Sequence, residues 1–171
     1  KGLDYADYSD SESAVNVNLT TERGAGGEAE GDTYRGIDGV LGSAHNDTII
    51  GFNQEDSDPD DTYTNDFHGG DGDDYLDGRG GSDSLYGDAG DDTLIGGSGD
   101  DKLSGGDDAD RLMGGTGSDT MSGGSGNDQF LVSEGDVATG GDDKDTFRLT
   151  DLGESGNAAI TIDGEEGGKD W

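Results

Sequence analysis

Seven aspartates recur every nine residues along one stretch of this chain: Asp74, Asp83, Asp92, Asp101, Asp110, Asp119 and Asp128. A carboxylate is a hard oxygen donor, and hard donors at fixed spacing suit a divalent cation that takes six to eight oxygen ligands, calcium above all. Paired carboxylates that cut glycosidic bonds need a pocket wall around two of them. Identical acids on a strict period instead point to one role repeated. Each aspartate has a glycine five places before it and a large apolar residue two places after it: Leu76, Leu85, Leu94, Leu103, Leu112, Met121 and Phe130.

Those flanking residues are the elements that must position the carboxylates. Cut at the glycines, Gly69 to Leu131 divides without remainder into GGDGDDYLD, GRGGSDSLY, GDAGDDTLI, GGSGDDKLS, GGDDADRLM, GGTGSDTMS and GGSGNDQFL. This is the G-G-x-G-x-D-x-U-x pattern of parallel β-helical repeats that bind calcium. The glycines let a six-residue turn take backbone angles closed to other residues, so that its carbonyls can face a cation. The short x-U-x segments are predicted strands. Alternation of side chains sends Leu76, Leu94, Leu112 and Phe130 inward from one sheet and Leu85, Leu103 and Met121 inward from the other. With two nonapeptides per turn, repeat n lies beside repeat n+2, an ion sits between stacked turns, and each aspartate is shared by the ion before and the ion after. The expected fold is all-β, a right-handed parallel β-roll with capping strands at both ends.

Composition bounds the rest. The 171 residues carry a net charge of −33 from 9 Lys+Arg against 42 Asp+Glu, with 36 glycines and only 26 % hydrophobic residues. Low hydrophobicity with high charge is the signature of a disordered chain, but disorder does not hold Asp and Leu in register over seven units. A thin apolar ladder on a glycine-rich backbone cannot offset its conformational entropy unaided, so the chain is predicted to be disordered without calcium and folded with it. Such an acidic molecule is repelled by nucleic-acid phosphates and anionic membranes. The absence of cysteine removes disulfides and thiolate metal sites. No run approaches the roughly 20 apolar residues of a membrane span, and no signal peptide is recognisable.

In chain order, residues 1–41 read as an N-terminal cap. KGLDYAD resembles half a repeat with Asp4 and Ala6 at the sixth and eighth places. Val15, Val17 and Leu19 alternate with Asn16 and Asn18 as a half-buried strand, and residues 22–36 read as loop. Residues 42–148 are the calcium-binding roll, opening on the degenerate repeat GSAHNDTII with Asp47 and Ile49. An acidic loop insertion covers about 51–64, with Asn65 and Phe67 closing its repeat. Asp56, Asp58 and Asp60 there have the opening spacing of an EF-hand, but Asp61 and Phe67 stand where its Gly and Glu belong. VSEGDVAT is one residue short, with Asp136 in the ligand place, and GGDDKDTFR restores the pattern with Asp145 and Phe147. Residues 149–171 hold a last strand through Ile160 and Ile162 and the start of a truncated repeat, GGKDW, so the chain reads as a piece of a larger protein.

The repeats resemble the RTX (repeats-in-toxin) family of serralysin-type proteases, alginate epimerase modules and haemolysins, strongly over Gly42 to Arg148. The resemblance implies a β-roll that leaves Gram-negative bacteria unfolded by type I secretion and folds on external calcium. It also implies a ligand scheme in which the second- and fourth-place carbonyls and Asp of repeat n join the first- and third-place carbonyls and Asp of repeat n+2. Carried over, the sites are Gly70, Gly72, Asp74, Gly87, Ala89 and Asp92; then Arg79, Gly81, Asp83, Gly96, Ser98 and Asp101; then Asp88, Gly90, Asp92, Gly105, Asp107 and Asp110; then Gly97, Gly99, Asp101, Gly114, Thr116 and Asp119; and Gly106, Asp108, Asp110, Gly123, Ser125 and Asp128. Gly115, Gly117, Gly124 and Gly126, with Asp145 and Asp47, extend the scheme toward the irregular ends.

The fifth-place Asp73, Asp91 and Asp100 read as solvated charge. His45 and His68, without cysteine among so many hard ligands, fit calcium surroundings better than zinc. GRGG lacks the Lys-Ser/Thr ending of a phosphate loop. No nucleophile and base stand together, so the expected function is non-enzymatic: a calcium-binding, secreted module whose partners are several Ca²⁺ ions and the neighbouring domains of its parent. The alternative is a carbohydrate-binding or adhesive module for extracellular polysaccharide with structural calcium, for which Tyr75, Tyr86 and Phe52 are scattered rather than aligned.

Overall fold

The computed structural model describes residues 3–53 and 64–150, together with the backbone of 161–163. The acidic stretch with Asp56, Asp58 and Asp60, the residues around Ile160, and Trp171 lie outside these. The strands are β1 (Tyr5–Asp7), β2 (Asn16–Asn18), β3 (Arg23–Ala25), β4 (Gly39–Leu41), β5 (Thr48–Ile50), β6 (Asp66–Asp71), β7 (Tyr75–Gly80), β8 (Ser84–Ala89), β9 (Thr93–Ser98), β10 (Lys102–Asp107), β11 (Arg111–Thr116), β12 (Thr120–Ser125), β13 (Gln129–Val132), β14 (Val137–Asp142), β15 (Thr146–Leu149) and β16 (Thr161–Asp163). One sheet runs β1-β4-β6-β8-β10-β12-β14-β16 and the other β15-β13-β11-β9-β7-β5-β2-β3. From β4 onward successive strands therefore alternate between sheets, and each pairs in parallel with the strand two further on, as the nonapeptide period requires.

Register places equivalent residues beside one another. Leu94 lies between Leu76 and Leu112, and Leu103 between Leu85 and Met121. These side chains are buried to within 1 % of complete, so the two sheets enclose a core one side chain thick. Phe130 and Phe147 extend it as stacked rings 4.7 Å apart.

Two expectations are corrected. The strands are not confined to x-U-x: those of the regular repeats run on through the glycine pair to the third place, because the parallel ladder continues, for example with Gly97 beside Gly115 and Ser98 beside Thr116. Residues 22–36 are not all loop either. They contain β3, antiparallel to β2, and a single 3-10 turn at Gly27–Ala29. This N-terminal end has a thicker core of Tyr8, Val15, Val17, Leu19, Ala29 and Tyr34, with the Tyr8 hydroxyl 2.8 Å from both the Tyr34 hydroxyl and Asp32 Oδ2. The antiparallel β3 turns one sheet edge into a hairpin, which blunts it against further pairing. Among the described residues no helix is long and apolar enough to cross a membrane.

Candidate metal centre

The sixth-place aspartates form two columns along the flanks of the roll. Each lies at the end of a turn with its strand starting one residue later, and none of Asp74, Asp83, Asp92, Asp101, Asp110, Asp119 and Asp128 is more than 3 % exposed. Within a column every aspartate amide donates to Oδ1 of the next turn's aspartate. On one flank Asp74 donates to Asp92, Asp92 to Asp110 and Asp110 to Asp128; on the other Asp83 donates to Asp101 and Asp101 to Asp119, all at 2.8–2.9 Å. Oδ1 is thereby fixed. The second oxygen is not: Oδ2 of these seven residues is buried and accepts no hydrogen bond. A buried carboxylate oxygen without a donor is costly unless a cation or proton joins it.

The turn is shaped around that oxygen. A Cβ on Gly96 would fall on Asp101 Oδ2 and within 2.6 Å of the Gly114 carbonyl oxygen, so the two oxygens converge on one face of Gly96. Likewise Asp74 meets the Gly87 carbonyl, Asp83 that of Gly96, Asp92 that of Gly105 and Asp110 that of Gly123. Each pair comes from one of the five carried-over sites. The glycines thus have two separate roles. The first-place glycine leaves room for oxygens. The second and fourth places take positive φ: Gly97 and Gly99 stand at 113° and 121°. Arg79, Asp88, Asp108 and Asp143 occupy such places at 73–76°, nearer the left-handed helical basin that side-chain-bearing residues tolerate. Among the described residues no three His, Cys, Asp or Glu side chains converge as a metal cluster, so any ion here draws on two carboxylates and the backbone.

Burial also raises these carboxyl pKa values, only partly offset by the amide of the ligand-place residue one turn earlier, Asn65 for Asp83 and an aspartate for the others: to about 8 for Asp74, Asp83 and Asp110, about 7 for Asp92, and about 6 for Asp119 and Asp128. The ordinary value is 3.8. A group raised on folding stabilises the fold fully below its unfolded pKa and loses that contribution as pH rises through the folded one. Without calcium, the chain should therefore gain β structure as pH falls from about 8 toward 5, above the isoelectric point near 4.1. Far-UV circular dichroism in EDTA checks this; a spectrum constant over that range would refute it.

Sequence reasoning missed what the fifth place does. Asp73, Asp91 and Asp100 are not simply solvated: their Oδ1 atoms accept the amides of Asp91, Ala109 and Ser118, two repeats on, at 2.9–3.1 Å. The signal was present in their recurrence. At the irregular ends Asn65 keeps the column by donating its amide to Asp83 Oδ1 at 2.7 Å, and Asp145 Oδ1 accepts from Asp128. Asp47 differs, since Oδ1 accepts from the Val15 amide and Ser43 hydroxyl and Oδ2 from the Ser43 amide. His68 stacks on Tyr86 with centroids 4.5 Å apart, between Asp66 and Asp88.

Parallel coils stacked two strands per turn, with a column of buried aspartates on each flank, define a calcium-binding β-roll. Residues 61–94, 68–103 and 104–136 match the RTX calcium-binding nonapeptide repeat, so this stretch of the chain is built of that family's repeats. Calcium is accordingly the ion its turns bind. No curated protein sequence matches the chain.

The first-place glycine carries a direct test. Gly96→Ala should raise the calcium midpoint of folding, since overpacking costs about 1–3 kcal/mol that calcium binding must offset. Ser98→Ala, which alters only a third-place side chain, should leave it unchanged. Calcium titrations of both variants decide it.

Proposed function

We propose that this chain is a non-enzymatic calcium-driven folding module of a larger secreted protein, exported unfolded and stabilising its parent once external calcium fills the turns. The observation that carries the reading is the column of buried Oδ2 atoms without donors. The ions lie between repeats n and n+2, in the five interior sites named above, and in a sixth between Asp128 and Asp145, because Asp128 Oδ2 and the Gly140 carbonyl converge on Gly123 as in the interior. Glycine-lined turns of preset carbonyls suit calcium at about 2.3–2.6 Å and not magnesium, which needs octahedral ligands at about 2.0–2.1 Å and retains its water. Magnesium at equal concentration should therefore leave the chain unfolded; folding by magnesium would contradict the site.

The carbohydrate-binding alternative is disfavoured by the aromatics. Tyr75 stands on β7 in one sheet and Tyr86 on β8 in the other, Phe52 packs against the core, and the Tyr86 ring is covered by His68 and by Lys102 Nζ at 5.2 Å. Of the three only Tyr75 is exposed, and a single ring is not an aligned stacking surface. A glycan array probed with the calcium-loaded chain should show no binding, and a specific hit would favour the alternative.

A further inference from the structure

Two repeats that keep an aspartate in the ligand place have a serine at their second place. Continued two residues past its last pairs, Leu41 with His68 and Met113 with Leu131, the register brings Ser43 level with Gly70 and Ser133 level with Gly115, so both serines occupy that place. In the regular repeats the second-place residue has positive φ, as at Gly70, Arg79, Asp88, Gly97, Gly106, Gly115 and Gly124; neither Ser43 nor Ser133 does. With the ordinary backbone angle, the serine amide turns onto the aspartate of its own repeat. The Ser133 amide donates to Asp136 Oδ2 at 2.7 Å, and its hydroxyl lies 3.0 Å from both that oxygen and the Gly115 carbonyl. Its single proton serves one of them at a time. Ser43 holds Asp47 in the same manner, its amide on Oδ2 and its hydroxyl 3.0 Å from Oδ1. The Oδ2 that accepts nothing in the regular repeats therefore has protein donors in these two. Val132 adds to this at the first place of the second such repeat; the first keeps Gly42, which Asp47 Oδ2 and the Gly69 carbonyl both approach as in the interior, so there the serine alone makes the difference.

We infer that a second-place serine closes a repeat to calcium, so that Asp47 and Asp136 are capped by protein and neither carboxylate ligates an ion. An amide and a hydroxyl supply the positive field a buried carboxylate needs, and they also fill the approach a cation would use. The calcium ladder is then bounded from within: one flank begins after Asp47 and the other stops before Asp136. This rests on the reading of the interior Oδ2 atoms as calcium ligands.

The experiment is calcium stoichiometry, by equilibrium dialysis at saturating calcium, together with the folding midpoint, for the full chain and for Asp47→Asn, Asp136→Asn and Asp101→Asn. The first two should bind as many ions as the parent at saturation, although loss of a buried acceptor raises their calcium midpoint of folding; Asp101→Asn should bind fewer. Loss of an ion from Asp47→Asn or Asp136→Asn overturns the inference. Full stoichiometry in Asp101→Asn as well would instead defeat the underlying reading of the interior sites. Anomalous diffraction from a calcium-loaded crystal of the unaltered chain tests the same point if a variant fails to fold: ions beside Asp74 to Asp128 and none at Asp47 or Asp136 support it, and an ion on either of those two overturns it.

Discussion

Removal of calcium with EDTA should convert this chain from β structure to a disordered coil, and millimolar calcium should restore the fold in a single cooperative transition. The expectation follows from a balance of opposing terms. In the repeats, the core is a line of single side chains from Leu76 to Phe130, while the backbone around it is rich in glycine, the residue that loses most freedom on ordering. Seven buried carboxylates add the cost of leaving oxygens without donors. A ligand at about 100 times its Kd adds about 2.7 kcal/mol per independent site, and several such sites equal the whole stability of a typical domain, about 5–15 kcal/mol. Cooperativity arises because each aspartate fixes the amide of its neighbour on the column, so filling one turn orders the next. Far-UV circular dichroism along a calcium titration is the measurement. A β spectrum retained in EDTA at neutral pH would show that the core and caps suffice alone.

Much of this architecture is legible in the sequence because it is repeated. Seven copies of one rule expose the inward leucines, the two-repeat turn and the aspartate columns, since any error of register would send every leucine to solvent. What was not legible belongs to contacts made once. Gly24 reads as loop among Glu22, Arg23 and Gly26, yet it is a strand residue because β2 pairs with it at Val17 and because Tyr34 and Ala29 crowd the space a side chain would take. Nothing in the local pattern encodes that packing.

The site divides in the same way. Which acid turns inward is readable from its place relative to the leucine, and burial agrees for all seven. The division of labour between first-place and second-place glycine is not, because both are the same letter: one is required by close approach to Asp Oδ2 and the other by positive φ. The serine substitutions at Ser43 and Ser133 look like harmless degeneracy in the sequence. Only the direction of their amides shows that they alter what the aspartate bonds to.

Asp101→Asn and Asp100→Asn should separate sharply although each removes one formal charge. Asp101 is 3 % exposed; its Oδ1 accepts the Asp83 amide, its own amide donates to Asp119, and its Oδ2 faces the Gly114 carbonyl across Gly96. It therefore belongs to two adjacent turns, one shared with Asp83 and one with Asp119. An asparagine there loses charge at both and turns an amide group, a donor, toward the cation or toward Asp83. Asp100, one residue earlier, is exposed and accepts only the Ser118 amide through Oδ1, a bond that an asparagine oxygen can keep. Its replacement removes a repulsive charge from a chain of net charge −33 and nothing else. Asp101→Asn should raise the calcium midpoint clearly, because two of the ions whose binding is linked to folding are weakened, whereas Asp100→Asn should leave it unchanged or lower it slightly. Paired titrations at fixed ionic strength measure both, since salt screens the general field but scarcely touches buried ligands. Equal shifts would mean that calcium is held by a diffuse polyanion, and the two aspartate columns would then have no special part in binding it.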